Sequence, residues 1–266
     1  MNKTIGFIGC GNMGAALARA VAKCVPAESI LLADLDTDKC RALADELGAR
    51  ISTAEKIAKD AYAVVLGVKP QALEKTLAPL KEILKGREEP FFFVSMAAGT
   101  SIEKIAAYAG ASYPTVRIMP NLPVAVGEGV ILWSKNETVG AEAEAFFLSA
   151  FEKTGTLDAI PEGMMDAAAA LSGCGPAFVA LFAEALADGA VACGVPRDKA
   201  QLYAEKTILG TAAYLLQTGM HPAVLKDAVC SPGGTTIAGV EALEKCAFGG
   251  TAASAVIASF EKTKKL

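Results

Sequence analysis

The apolar residues of the first 160 positions follow two alternating rhythms. Short continuous runs at residues 3–8, 30–33, 62–68, 91–94 and 115–118 predict strands. Between them, residues 13–23, 38–47, 72–84 and 102–109 space their apolar positions three and four apart, which predicts helices. Residues 130–133 add a strand expected at the sheet edge, and residues 141–153 a covering helix. Strands that are apolar along their whole length must be buried on both faces. The pattern therefore predicts an α/β fold with a parallel sheet between two helical layers.

From residue 161 only the helical rhythm remains. Alanine-rich helices are expected over 163–171, 176–193, 197–218, 222–229, 235–246 and 251–264. Glycine- and proline-bearing breaks separate them, the last at Gly249-Gly250. The domains expected are thus residues 1–160 and 161–266. Segment 176–187 is apolar on more than one face, through Phe178, Val179, Leu181, Phe182 and Leu186. Such a helix needs cover on every side, more than a small domain supplies. Helices that interlock between subunits are expected, with a compact monomeric bundle as the alternative.

Composition narrows the function. Hydrophobic residues make up 53% and charged residues 20%, which excludes intrinsic disorder. The net charge is −4 and the lysines at 262–265 form the largest basic cluster, so nucleic acid is a poor partner. Seven cysteines form no Cys-x-x-Cys pair, which argues against a disulfide framework or a structural metal site and for a reducing compartment. The first nine residues lack the apolar core and cleavage site of a secretory signal, so a cytoplasmic location is expected. The longest uncharged stretch, 167–183, is interrupted by Ser172-Gly173-Cys174-Gly175-Pro176 and reads as buried helix rather than membrane span.

Gly9-Cys10-Gly11-Asn12-Met13-Gly14 follows the first strand, beginning from Ile8, and opens a helix. That context makes it a candidate dinucleotide turn. Gly9 would allow the bend, Gly11 the approach of a pyrophosphate, and Gly14 the contact of helix with sheet. The helix start would offer N–H groups to the phosphates. Asp34, at the end of the second strand, could accept hydrogen bonds from the adenosine ribose and repel a 2′-phosphate. This leans towards NADH over NADPH. Asp36 adds charge that Lys39 and Arg41 could offset, and Asp34 could instead be a helix cap or turn residue. Val68-Lys69-Pro70 follows the third strong strand, where ligands bind in open α/β sheets; Lys69 would face the cofactor or be a surface lysine. Met96, Ala97 and Ala98 follow the next strand and could line the nicotinamide pocket or simply pack the strand end.

His221, the only histidine, precedes Pro222 in a helix connection and reads as a cap or surface group. Alcohol dehydrogenation often needs a general acid/base of suitable pKa, and no histidine is placed to supply one. An imine needs less help, because a protonated C=N carbon accepts hydride directly. Ser231-Pro232-Gly233-Gly234-Thr235-Thr236 is the best candidate to bind such a substrate. Its bend leads into a helix start able to hold a carboxylate, and a threonine hydroxyl could meet the nitrogen. Ordinary capping by Ser231 or Thr235 is the alternative.

Gly6-Phe7-Ile8-Gly9-Cys10-Gly11-Asn12-Met13-Gly14, Val68-Lys69-Pro70-Gln71, Arg117-Ile118-Met119-Pro120-Asn121-Leu122-Pro123, Leu171-Ser172-Gly173-Cys174-Gly175-Pro176-Ala177 and the stretch from Asp227 to Ile237 occur here in this order. In these motifs the whole chain resembles the pyrroline-5-carboxylate reductase family. The resemblance implies reduction of 1-pyrroline-5-carboxylate to L-proline by NADPH or NADH. It implies an N-terminal Rossmann-type doubly wound sheet and an all-α C-terminal domain that swaps helices in a homodimer, with dimers often forming decamers. It also assigns Thr236 to the substrate nitrogen as the catalytic contact. Ser231, Gly233, Gly234 and Thr235 would shape the bend and hold the carboxylate, and Glu162 would line the pocket. Ala54 and Ala228 depart from the pattern, standing where relatives often carry a cofactor-side asparagine, and Cys230 stands where Ser or Thr is more usual. Two further alternatives are a β-hydroxyacid-dehydrogenase-like enzyme or a reductase of a related cyclic imine. The first would carry a lysine just beyond the second-domain glycine motif, and residues 173–183 hold none. A third is a nucleotide-binding regulatory or scaffold protein that keeps the fold without turnover.

Overall fold

Eight strands share one sheet in a computed structural model that describes residues 3–264. They are β1 (Ile5–Ile8), β2 (Ile30–Ala33), β3 (Arg50–Ile51), β4 (Ala63–Leu66), β5 (Phe92–Ser95), β6 (Thr115–Pro120), β7 (Gly129–Lys135) and β8 (Gly155–Ala159). Their order is β3-β2-β1-β4-β5-β6-β7-β8. Every pair is parallel except β6 with β7. The first six strands thus have the doubly wound order, which reverses direction between β1 and β4.

Helices α1 (Asn12–Val21), α2 (Thr37–Leu47), α3 (Ala54–Asp60), α4 (Pro70–Leu77), α5 (Lys81–Lys85), α6 (Ile102–Ala109) and α7 (Ala141–Phe151) connect these strands. Successive strand residues point to opposite layers. Ile5, Phe7, Phe92 and Val94 join one buried cluster, with Leu17 and Phe147. Ile8, Val64, Leu66 and Phe93 join the other, with Ile57 and Leu73. Burial on both faces explains why these strands lack polar alternation.

Some details differ from expectation. The strand at 130–133 is not an edge, because β8 pairs outside it from Gly129↔Gly155 to Trp133↔Ala159. The helix expected over 72–84 is two helices, α4 and α5, with a tighter turn at Ala78–Leu80 that holds Pro79. A proline inside a helix removes a backbone donor and ends the regular ladder.

The remaining helices are α8 (Met165–Ser172), α9 (Gly175–Ala192), α10 (Arg197–Thr218), α11 (Pro222–Val229), α12 (Thr235–Lys245) and α13 (Phe248–Thr263). The last break falls at Ala247, whose φ of 53° is left-handed, and Gly249 and Gly250 lie inside α13. Backbone contacts divide the chain into Met1–Gly173 with Phe260–Leu266 as one unit and Cys174–Ser259 as the other.

The second unit buries very little of its own surface. Its buried core cluster is Ala187, Ala200 and Ala204. Leu181 is 67% exposed, Ile257 61% and Leu216 86%. Within a single chain these helices stay uncovered, since in α9 only Ala187 is buried. By length and composition, Glu162–Ala192 also passes the test for a membrane-crossing helix, but α8 and α9 are separated by Gly173 and Cys174.

Candidate active site

The turn after β1 sits at the reversal point of the sheet. Gly9 has φ +104° and donates its N–H to Ala33 O at 2.8 Å. Gly67, just beyond β4, donates to Ile8 O at 2.8 Å. A Cβ on Gly9 would lie 2.6 Å from the Gly67 carbonyl carbon. One on Gly67 would lie 2.5 Å from Gly9 O, and one on Gly14 2.3 Å from the same oxygen. Three stretches of main chain therefore touch here with no side chain between them. By contrast, a Cβ on Gly11 would meet nothing within 4 Å. That open face lies at the start of α1, whose cap residue Gly11 contributes no side-chain hydrogen bond. An anion there would meet backbone donors and the positive end of the helix dipole, so these residues fit a dinucleotide pyrophosphate.

The other residues of the turn divide their roles. Asn12 is exposed and Met13 half-buried, while Ile8 and Gly14 are buried. Cys10 is buried, and its thiol lies 3.7 Å from Ala33 O. Burial, with smaller contributions from Cys40 and Asp34, pushes that thiol up to about 12. The Cys10 side chain is thus inert packing, and only its backbone serves the turn.

Asp34 ties the turn to β2. Its Oδ2 accepts from Cys10 N–H at 2.5 Å, and its Oδ1 accepts from Asp36 N–H at 2.8 Å. Each carboxylate oxygen keeps a second lone pair, so a ribose hydroxyl could still be accepted. The α2 cap is Asp36, which accepts from Lys39 N–H at 3.1 Å. Lys69 is exposed at the cap position of α4, with Val68 before it and Pro70 in the first turn. Beyond β5, Met96 and Ala98 are half-buried and Ala97 is buried. The ends of β1, β2, β4 and β5 thus gather the expected cofactor residues along one edge of the sheet.

In the second unit, Ser231 and Gly234 close a turn through Gly234 N–H to Ser231 O at 3.0 Å, with Gly233 at φ +66°. Gly234, not Ser231 or Thr235, is the cap of α12, and no side chain bonds there. Its first N–H groups therefore lack a side-chain cap, as a carboxylate site requires. Thr235 and Thr236 are exposed. Thr236 borders a cavity of about 440 Å³, together with Thr211, Tyr214, Leu225 and Lys226. His221 caps α11, accepting from Ala223 N–H through Nδ1 at 3.2 Å.

Glu162 belongs to the first unit and is already engaged there. Its Oε1 accepts from Ile102 N–H at 2.8 Å and from Arg117 Nη1 at 3.2 Å. The sequence reading missed Gly67, and it noted Arg117 and Asn121 only as parts of a motif. A glycine directly before Val68-Lys69-Pro70 was the available signal for the first, since a strand end facing a glycine turn favours a residue without Cβ.

The doubly wound order, the bare glycine contacts and the open helix start define a dinucleotide-binding fold. Residues 4–99 match the family described as NADP oxidoreductase, coenzyme F420-dependent, and residues 162–266 match pyrroline-5-carboxylate reductase dimerisation. The pyrroline-5-carboxylate reductase of Arabidopsis thaliana is 39% identical over 265 residues, spanning 98% of this chain and 95% of its own. That of Escherichia coli is 37% identical over 270 residues, spanning 100% and 99%. A crystal structure of the Plasmodium falciparum pyrroline carboxylate reductase with NADP bound superposes with a TM-score of 0.87 at 31% identity, covering 99% and 98% of the two chains. The chain belongs to the pyrroline-5-carboxylate reductase family.

Gly67→Ala tests the bare contact. Its added methyl would press on backbone that cannot rotate away, which should cost roughly 1–3 kcal/mol. Thermal denaturation should show the loss, and fluorescence titration should show weakened dinucleotide binding. Unchanged values for both would contradict the packing described.

Proposed function

We propose that this chain reduces 1-pyrroline-5-carboxylate to L-proline, the last step of proline biosynthesis, using a reduced nicotinamide dinucleotide. The observation that carries the proposal is full-length identity of 37–39% to pyrroline-5-carboxylate reductases. When bound, the dihydronicotinamide supplies a hydride to the C=N carbon, and the π pair of that bond passes to nitrogen. Every other contribution comes from residues of the chain. The Gly9–Gly14 turn and the start of α1 hold the pyrophosphate. Met96, Ala97 and Ala98 leave room for the nicotinamide beside the end of β5.

In the second unit, the uncapped start of α12 accepts the substrate carboxylate on the N–H groups of Thr235 and Thr236, while Gly234, whose own N–H goes to Ser231 O, closes the turn that presents them. Ser231 and Gly233 shape the bend that presents them. The Thr236 hydroxyl hydrogen-bonds the ring nitrogen and orients the imine, a contact worth more once water is excluded. A positively charged imine needs no strong acid for this step, which agrees with a chain whose one histidine caps a helix. We assign Glu162 a substrate contact through its second carboxylate oxygen, since Oε1 is taken by Ile102 and Arg117.

The cofactor preference proposed is NADH. The support for this is the charge of Asp34, half-buried beside the turn, which would repel a 2′-phosphate bound there. The chain is further proposed to work as a homodimer through its second unit, and assembly of dimers into decamers is compatible with that. The large exposed apolar side chains of α9, α10 and α13 support this, because such surface marks an interface.

Three outcomes are expected. With racemic substrate followed by cofactor absorbance, Thr236→Ala should lower kcat by about 10²-fold, the scale of one lost transition-state hydrogen bond. Its cofactor Kd should hold, and an equal loss of cofactor affinity would remove the role given to Thr236. Asp34→Ala should raise the NADPH-to-NADH ratio of kcat/KM, whereas an unchanged ratio would take Asp34 out of the adenosine pocket. Sedimentation of the full chain should give at least twice the 27.3 kDa of one copy. A species of single-chain mass at micromolar concentration would refute the dimer.

A further inference from the structure

We propose that Arg117 and Asn121 are positioning residues for the reaction. Together they clamp both ends of α8 to the sheet and, through Glu162, fix the start of α6. The proposal rests on the reductase reading above.

Arg117 lies within β6 and is 4% exposed. Its Nη1 donates to Glu162 at 3.2 Å and its Nη2 to Asp166 Oδ1 at 2.9 Å. Asp166 stands in the first turn of α8. At the other end, Asn121 Nδ2 donates to the carbonyl of Ser172, the last residue of α8, at 2.9 Å. The same amide accepts Val130 N–H through Oδ1 at 2.9 Å, which holds it against β7. A helix of this length spans about 12 Å, and the two side chains grip it near its ends.

The clamp reaches further through Glu162. Oε1 of that residue takes both Arg117 and the N–H of Ile102, the first residue of α6. The loop that carries Met96, Ala97 and Ala98, assigned above to the nicotinamide, ends just before Ile102. One buried guanidinium therefore joins the end of that loop to the helix from which the chain passes into its second unit.

A requirement of stability alone explains this arrangement poorly. Desolvating a guanidinium is costly, and apolar residues of similar volume often serve a core as well or better. Moreover, Arg117 Nε and Ser172 Oγ are buried without a hydrogen-bond partner. Such unpaired groups are few in folded proteins and tend to persist where function constrains the geometry. Arginine also suits the position by its shape, since its fork reaches two carboxylates at once and lysine cannot.

The test compares Arg117→Met, Arg117→Lys and Asn121→Ala with the wild-type chain. Five quantities are measured on each: kcat and KM for the imine, cofactor Kd, Tm, and hydrogen exchange at the Ile102 amide. Small misplacement of reacting groups can cost about 10²-fold. Arg117→Met is therefore expected to lose 10- to 100-fold in kcat, with cofactor Kd within about twofold and faster exchange at Ile102. Arg117→Lys should recover part of the rate, and Asn121→Ala should lower kcat while leaving Ile102 exchange unchanged.

Wild-type kcat and wild-type Ile102 exchange in Arg117→Met would overturn the proposal. So would a loss of rate matched by an equal loss of folded protein in all three variants. If Arg117→Met does not fold, Arg117→Lys and Asn121→Ala decide the matter by the same criteria. A wild-type chain that fails to reduce the imine would defeat the reductase reading, and the exchange measurement would still judge the clamp itself.

Discussion

Main chain pressed directly on main chain is the constraint from which the rest of the first unit follows. Gly9, Gly14 and Gly67 bring the ends of β1 and β4 and the first turn of α1 into contact at separations that no Cβ could occupy. This contact sits where the strand order reverses. Because α1 starts there with an open face at Gly11, its free N–H groups point to the crevice that the reversal creates. Asp34 secures the same turn by taking the Cys10 amide, so one carboxylate both braces the loop and colours its electrostatics. Fold and cofactor site are here a single packing arrangement.

The second unit follows a different logic. Its helices form readily, but alanine-rich surfaces give them only three buried alanines within one chain. Much of the hydrophobic stabilisation expected of such apolar helices must come from outside that chain. The same unit supplies a helix start preceded by a Pro-Gly-Gly bend, with no side chain competing for its donors. An imine carrying a carboxylate asks for little more than a place for its anion, a partner for its nitrogen and a dry hydride donor. The lack of a catalytic histidine fits that undemanding chemistry.

Much of this was legible in the sequence because it is local. Apolar runs gave the central strands, and the turn from Gly9 to Gly14 declared itself by its place between strand and helix. Short or weakly patterned elements were not legible. Arg50–Ile51 is a two-residue strand with both side chains exposed, and Ala54–Asp60 is a short helix half composed of charged residues. Gly155–Ala159 is only partly buried and presents no continuous apolar run. The split of the 72–84 helix was signalled by Pro79 and could have been found. Arg117 and Asn121 are harder cases, because the partners through which they grip α8 and Glu162 lie 45 to 51 residues away and nothing nearby announces them. Capping of α12 by Ser231 or Thr235 was the alternative to a carboxylate-binding helix start. The structure leaves the cap to Gly234, because the Pro-Gly-Gly bend turns the chain into the helix one residue before the threonines.

Direct passage of hydrogen from cofactor to substrate is the central claim, and isotopic labelling tests it most simply. Reduction of 1-pyrroline-5-carboxylate in ordinary water, with dinucleotide deuterated at both C4 positions, should yield proline carrying a single deuterium on the ring carbon that was doubly bonded to nitrogen. Mass spectrometry reads this without ambiguity. Proline free of deuterium would mean that its hydrogen came from solvent, and the account of direct hydride transfer would be wrong.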